Sequence, residues 1–478
     1  MERNHFKLHF NGQGVPLNSF ESNAVLSCLQ DTDHPVTDLW IFAHGWNTDE
    51  SSANTTYTVW TQRMQECILR EVKDPSFHPI FVSIYWPSIA YPTHASDELV
   101  LPLQLLPSSN MSNLYPDEFG SDDIIVSRDD SEVTDEKEEL ERRDSPSSPE
   151  FADKVRFIDM YRAAIDPDGT HASRYPQDFA RLYDILIQSQ SELPTASTEE
   201  FVRILRHYRI DNPHKETLEE NDIFSQPELV AANVHTDITN EGTIGHPLLD
   251  ILRAFTFWNM KSRAAIVGQQ GVAHFLSQVK TLSRQHQHSL RLHLFGHSFG
   301  AKLVSAAVYN LAQTYQEEAP IVDTLVLLLG AFSQFAFSSD IPIKHGGVGR
   351  YSSLVGRKLV ATPIAAVYSC HDLANKELYP LGMRLAKSKL VYEIGDPNDR
   401  FGALGANGAQ GLNPSDWQII ELLSLEATYN LESRKHLAGL NIDGQHFINA
   451  DRNKRPVGAH RDIYHPEIFH LALALARL

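Results

Sequence analysis

The sequence predicts an α/β protein built on a mostly parallel central sheet with helices on both faces. Three observations carry this expectation. Short apolar runs of strand length alternate with segments of helical length, the order that generates a parallel sheet. One strand–helix–strand unit closes within residues 1–87, and further strand and helix signals follow in 251–478. Between them, residues 88–250 differ in periodicity and charge and read as an insertion, mostly helical, into an otherwise continuous core.

The elements justify that outline in order. Asp38-Leu39-Trp40-Ile41-Phe42-Ala43 is an apolar run that stops at His44-Gly45, and Pro79-Ile80-Phe81-Val82-Ser83-Ile84-Tyr85-Trp86 stops at Pro87. Both have the length and the β-branched or aromatic content of buried strands, and residues 53–73 between them have helical character. Within the insertion, residues 117–150 hold 14 acidic and 4 basic side chains, half of the chain's net charge of −20. Such a stretch, with Ser145-Pro146-Ser147-Ser148-Pro149 at its end, cannot bury enough apolar surface to offset its ordering entropy. It is expected to be disordered, either as a solvated surface segment or as a docking segment for a protein partner.

Helical spacing follows in Val155, Ile158 and Ile165, in Phe179, Leu182, Ile185 and Leu186, and in Phe201, Ile204, Leu205 and Tyr208. Residues 248–258 read as a buried helix returning to the core. A helix at 264–285, a strand at 290–295, a helix at 301–312 and strands at 324–329 and 365–369 come next. Asp443-Gly444 between two apolar runs predicts a hairpin, and 465–478 a closing helix. Gly402, Gly405, Gly408 and Gly411 suggest a flexible loop.

Composition excludes several classes. With Asp+Glu 61 against Lys+Arg 41, the chain has no global basic footprint for nucleic acid. Cys28, Cys67 and Cys370 lie too far apart for a zinc motif or a disulfide framework. The N-terminus leads into no apolar signal core, and no run approaches the roughly 18 apolar residues of a membrane span. A soluble, cytoplasmic protein without a transmembrane segment is expected.

The chemistry is concentrated in one place. Leu290 to Phe295 runs directly into Gly296-His297-Ser298-Phe299-Gly300, which runs directly into a helix. A serine in Gly-x-Ser-x-Gly between strand and helix occupies a sharp turn that projects its hydroxyl above the carboxyl end of the sheet. Its neighbours two residues either side approach so closely that a Cβ would clash. The turn also sets the following N–H groups at a helix N-terminus, where a developing oxyanion is favoured. A tight turn with a structural serine is the alternative. The spacing to Lys302 does not fit a phosphate loop.

On these residues the chain resembles the α/β-hydrolase superfamily, in particular its serine esterase and lipase-like members, over most of its length outside the insertion. Phe42-Ala43-His44-Gly45-Trp46-Asn47 looks like the His-Gly turn that follows the third core strand of that fold. The resemblance implies an oxyanion hole formed by the N–H groups of Trp46 and Phe299, although His44 and Trp46 also suit core packing at a strand end. It further implies the order serine, acid, histidine. Asp372, at the end of the 365–369 strand, is the candidate acid. Its alternative role is a helix N-cap, Asp340 is a reserve, and Asp443 suits a turn. Among 23 histidines, His460 lies between the last strand and the closing helix and is the candidate base, ahead of His446 and His465. Histidine suits the task because its ordinary pKa near 6.5 lets it take a proton and return it.

The expected function is therefore cleavage of a small-molecule or lipid ester by Ser298, His460 and Asp372 through an acyl-enzyme, with no metal or organic cofactor. Thioesterase or peptidase activity would use the same residues. A non-catalytic binding module on the same fold is the competing class. The insertion is expected to act as a cap.

Overall fold

The computed structural model describes residues 4–89, 154–155, 158, 161, 175–188, 195–209, 247–285, 289–314, 319–342, 347–379, 401–449 and 458–478. The acidic segment 117–150 lies outside them, as does most of the helical pattern around Val155 to Ile165.

The strands are β1 (His5–His9), β2 (Asp38–Ala43), β3 (Pro79–Tyr85), β4 (Arg291–His297), β5 (Thr324–Leu328), β6 (Ile364–Tyr368), β7 (Trp417–Glu421) and β8 (Gly439–Asp443). They form one open eight-stranded sheet in the order β1-β3-β2-β4-β5-β6-β8-β7. Every neighbouring pair among them is parallel. The main helices are α1 (Ser19–Leu29), α2 (Glu50–Glu71), α3 (Tyr175–Gln188), α4 (Thr195–His207), α5 (Pro247–Ile266), α6 (Ala273–Gln285), α7 (Phe299–Thr314) and α8 (Pro466–Ala476).

Period-two alternation divides the core. In β2, Leu39, Ile41 and Ala43 join the apolar cluster containing α1, α5, α6 and α7. Trp40 and Phe42 point the other way, into the cluster of Tyr57 and Trp60 from α2 and Phe469 from α8. A parallel sheet covered on both faces has strands apolar on both sides, and the six residues of β2 are all buried. Local signals delimit the helices. The Asp49 carboxylate caps α2 by accepting the Ser52 N–H at 2.6 Å, and Pro466 opens α8.

The connections locate a crevice in the sheet. The chain leaving β2 passes through α2 to β3 on one side, and the chain leaving β4 passes through α7 to β5 on the other. Adjacent strands whose connections diverge open a crevice at their carboxyl ends, which is where ligands bind in open α/β sheets. The two segments bordering this crevice are His44-Gly45-Trp46 and His297-Ser298-Phe299.

The opposite end of the same two strands carries a closed polar network. Asp38 Oδ1 accepts from His293 Nε2 at 2.9 Å, and Asp38 also pairs with Arg291 at 2.9 Å. His293 Nδ1 lies 3.1 Å from Thr324 Oγ1 on β5. Burial pushes the Asp38 carboxyl up, but hydrogen bonds from His293 and Thr37, with Arg291 adding to them, outweigh it and hold the group below its ordinary value. Trp40 stacks on His293 with centroids 4.4 Å apart. The network staples β2, β4 and β5 at their amino ends.

Several expectations are corrected. Asp443-Gly444 does not make a hairpin, because β8 pairs in parallel with β6 and β7 and, among the described residues, no strand follows the turn. The Gly444 N–H instead bonds the Tyr368 carbonyl oxygen at 2.9 Å. The glycine-rich stretch is not a loose loop: most of residues 402–411 are buried, and 404–407 form a helical turn. Its glycines are sites of close packing, and a Cβ on Gly405 would collide with the Asn375 amide. β1 and β7, the two edge strands, are additional elements with no sequence expectation. Helices α5 and α6 continue through a π-helical segment, Val267–Val272, rather than forming separate rods.

Between β3 and β4, α3 and α4 pack together and α4 packs on α5. The Tyr208 hydroxyl donates to Asp178 at 2.9 Å, and the Asn259 amide donates to the Tyr208 carbonyl at 2.9 Å. Among the described residues no helix is long and apolar enough to cross a membrane.

Candidate active site

Ser298 stands between the last residue of β4 and the first of α7, with φ at +57°. This left-handed conformation is unfavourable for a residue with a Cβ and persists only where the surroundings impose it. The Ser298 N–H donates to the Leu328 carbonyl at 3.0 Å, and the Ser298 carbonyl accepts from Ala301 at 3.1 Å and Ala331 at 3.2 Å. The turn is thereby fastened to the end of β5.

The glycines of the motif permit this geometry. A Cβ on Gly296 would run into the Gly300 carbonyl, and one on Gly300 into the Ala43 carbonyl at the end of β2. A Cβ on Gly45 would sit 2.8 Å from Ser298 Cβ and 3.0 Å from His297 Nδ1. Gly45 thus lets the two crevice segments interlock.

The structure brings Ser298, His460 and Asp372 together in one hydrogen-bonded chain. His460 lies in a single 3-10 turn, Gly458–Arg461, and its Nε2 is 2.9 Å from Ser298 Oγ. Its Nδ1 is 2.8 Å from Asp372 Oδ2. A carboxylate can only accept, so Nδ1 carries the proton, and in the neutral ring Nε2 then accepts from the serine hydroxyl. The Asp372 side chain is fully buried, whereas the His460 side chain retains 14% exposure. The histidine is thus partly open to the exterior while the acid stays shielded.

Asp372 makes two contacts at once. Oδ1 accepts the Asn375 N–H at 3.0 Å, which is an N-cap contact, while Oδ2 faces His460. The Asn375 side-chain amide donates to Asp372 Oδ2 at 2.6 Å and to the Leu329 carbonyl at 2.8 Å. Asn375 therefore fixes the acid, and Gly405 leaves it room to do so. The reserve and rival residues lie elsewhere. Asp340 and His446 are exposed, Asp443 holds the Gln445 N–H at 3.0 Å, and His465 pairs with Asp462 at 2.8 Å.

His44 is a structural member of the site. Its N–H donates to the Tyr57 hydroxyl at 2.9 Å, its carbonyl accepts from Trp86 Nε1 at 3.1 Å, and its ring stacks on Trp86. Burial lowers its pKa to about 4, so the ring is neutral near pH 7. Trp46 follows in the same turn. Its ring lies 5.8 Å from both Phe257 and Phe299, and Phe257 and Phe299 lie 5.3 Å apart. Phe257 comes from α5, so that helix packs against the side chains of Trp46 and Phe299. Phe299 is the first residue of α7, where a backbone N–H has no acceptor within the helix.

His297, Asn375, Tyr57 and Phe257 were not legible as site residues in the sequence. His297 sits inside the serine motif at a position that any residue type can occupy. Asn375 carries only the weak signal of a capping partner three residues after an aspartate. Tyr57 and Phe257 look like ordinary helix core. Among the described residues, no group of three or more His, Cys, Asp or Glu is placed to hold a metal ion. Comparison with protein-family models, with characterised proteins and with solved structures finds no match for this chain.

Proposed function

We propose that this protein is a serine hydrolase of the α/β-hydrolase type that cleaves a carboxylic ester through an acyl-enzyme. The observation that carries the reading is the Ser298–His460–Asp372 chain, with contacts of 2.9 and 2.8 Å, at the carboxyl edge of a parallel sheet. The strained elbow, the helix N-terminus beyond it and the partly exposed histidine support it further.

In this reading Ser298 Oγ attacks the ester carbonyl carbon while its proton passes to His460 Nε2. The carbonyl π electrons move to oxygen, and the N–H groups of Phe299 and Trp46 receive that oxyanion. Collapse of the tetrahedral intermediate breaks the carbon–alkoxide bond, and His460 returns the proton to the departing alcohol. Water repeats the sequence on the acyl-serine and releases the acid. Asp372 holds the ring orientation and stabilises the imidazolium. The aromatic side chains of Trp46, Phe257 and Phe299 suit an apolar acyl or aromatic group. The insertion, reaching the core through α4 and α5, would act as a cap that shapes the pocket and excludes water.

The same residues serve thioesters and peptides, so a matched panel decides the acyl class. Wild type and Ser298→Ala are compared on a short-chain aryl ester, the corresponding thioester and the corresponding anilide. Turnover of the ester by wild type, absent in Ser298→Ala, is the expected result. A folded wild type inert toward all three would overturn it in favour of a binding module.

A further inference from the structure

Successive residues of the elbow grip the same histidine in different ways. Ser298 meets the His460 ring, while His297 Nε2 lies 2.9 Å from the His460 main-chain carbonyl oxygen. A carbonyl oxygen only accepts, so His297 donates Nε2–H. We propose that His297 is a positioning residue for the reaction: its imidazole anchors the backbone of His460 and thereby keeps the ring of the base in register with Ser298. The inference rests on the serine-hydrolase reading.

Strand geometry explains why His297 can reach this carbonyl. In β4, residues 293, 295 and 297 share one face by alternation, and Phe295 packs there against Phe469 of α8 and Trp60 of α2. This is the face across which the chain arrives from residue 458 to enter α8. His297 is 7% exposed, and the Trp60 ring meets it edge-on at 6.5 Å.

Other bonds hold the main chain around His460 at neighbouring residues, among them the Asn449 N–H donating to Asp462 Oδ2 at 3.0 Å. The Ala459 N–H donates to the His371 carbonyl at 2.9 Å, and Trp60 Nε1 donates to the Ile463 carbonyl at 3.3 Å. His297 supplies the contact at His460 itself, directly from the residue beside the nucleophile. Nucleophile and base are thus joined at two points, one of which survives when the serine proton has been transferred.

The protonation of His297 suits this task. Burial, and next the repulsion of a charged His460, lower its pKa well below 6.5. A neutral ring has one N–H, and it is spent on the His460 carbonyl. The rings of His297 and His460 lie 4.9 Å apart, so a neutral His297 adds no like charge when His460 becomes an imidazolium. Arg461 and His44 also act on His297 in the same direction.

The test replaces the donor and then restores it. His297→Met keeps bulk without an N–H, whereas His297→Gln keeps an amide donor. Inactivation by a fluorophosphonate is followed to separate the maximal rate from the half-saturating concentration. His297→Met is expected to slow the maximal rate about tenfold to a hundredfold, with half-saturation within about twofold of wild type, and His297→Gln to recover most of the loss. A merely structural role predicts lower melting temperature with unchanged inactivation per folded molecule. That result, or equal slowing in both variants, would overturn the proposal.

Nitrogen-15 spectra of the wild-type histidines give a second reading that needs no variant. His297 is expected as the neutral Nε2–H tautomer at neutral pH, and an imidazolium or an Nδ1–H tautomer would overturn the inference. Failure of wild type to react would instead remove the hydrolase reading. The effect of His297→Met on the downfield His460–Asp372 proton then still reports whether His297 positions the ring.

Discussion

Among the described residues, a chain of acid, imidazole and hydroxyl stands at each end of the same sheet. At the amino ends, Asp38 meets His293 at 2.9 Å and His293 meets Thr324 at 3.1 Å. At the carboxyl ends, Asp372 meets His460 at 2.8 Å and His460 meets Ser298 at 2.9 Å. The distances scarcely differ, although the roles of the two ring nitrogens are exchanged. What differs is the setting. His293 and Asp38 are wholly buried, Thr324 belongs to a regular strand, and Arg291 adds a further charge to the acid. Ser298 sits on a left-handed turn before a helix N-terminus, and its histidine keeps contact with the exterior. A relay of hydrogen bonds is thus a structural staple in one place and a proposed catalytic device in the other. Access, backbone strain and nearby N–H donors decide between them.

The comparison breaks most sharply on the hydroxyls. Ser298→Ala is expected to lower ester turnover by about 10⁶-fold. Thr324→Val is expected to leave turnover per folded molecule unchanged and to lower stability by about 1 kcal/mol, as read by urea unfolding. The acids invert the pattern. Asp372→Asn, which disturbs the histidine tautomer, is expected to lower turnover about 10⁴-fold with a modest effect on stability. Asp38→Ala strands His293 and Arg291 and is expected to lower stability by about 3–5 kcal/mol without changing turnover per folded molecule.

Acid separates the two ends in another way. The pKa of His44 is lowered to about 4 and that of His297 is also lowered, so both stay neutral when the unfolded chain begins to bind protons near pH 6.5. The unfolded state is then favoured as pH falls through that window. For His44 alone the loss is about 3 kcal/mol by about pH 4. Asp38 acts in the same direction but in a lower window: its depressed pKa contributes stability above the unfolded value near 3.9, lost as pH falls from there through the folded value. Unfolding curves are thus expected to weaken first through the carboxyl-end histidines, and His44→Gln to flatten the upper part of the pH dependence.

The smallest effect concerns strain. Ser298→Gly is expected to be more stable than Ser298→Ala by about 1 kcal/mol, because only glycine adopts a φ of +57° without cost. Equal stabilities in thermal unfolding would remove strain from the account of the elbow.

Much of this was legible in the sequence, for identifiable reasons. Buried parallel strands such as β2 and β4 are continuous apolar runs, and the serine turn announces itself through glycines demanded by steric contact. Asp372 and His460 followed from the chain order that the resemblance to α/β-hydrolases implies rather than from local pattern. Edge strands β1 and β7 escaped because they bury little and carry polar side chains; Gln418, Ile419 and Glu421 of β7 are exposed. Asp443-Gly444 misled because its turn chemistry is local, whereas the pairing of β8 with β6 is set by the whole sheet. Supporting residues such as Asn375 and His297 are defined by what lies across the fold, and no local spacing encodes that.

The central claim is that Ser298 is an activated nucleophile and not the hydroxyl of a second staple. Its most direct test is to treat the folded protein with a fluorophosphonate and locate the adduct by peptide mass spectrometry. The account predicts one adduct, on Ser298, that is absent from Ser298→Ala and strongly slowed in His460→Ala. A folded wild type left unmodified at Ser298 would contradict it and leave the carboxyl-end chain as structural as its counterpart on Asp38.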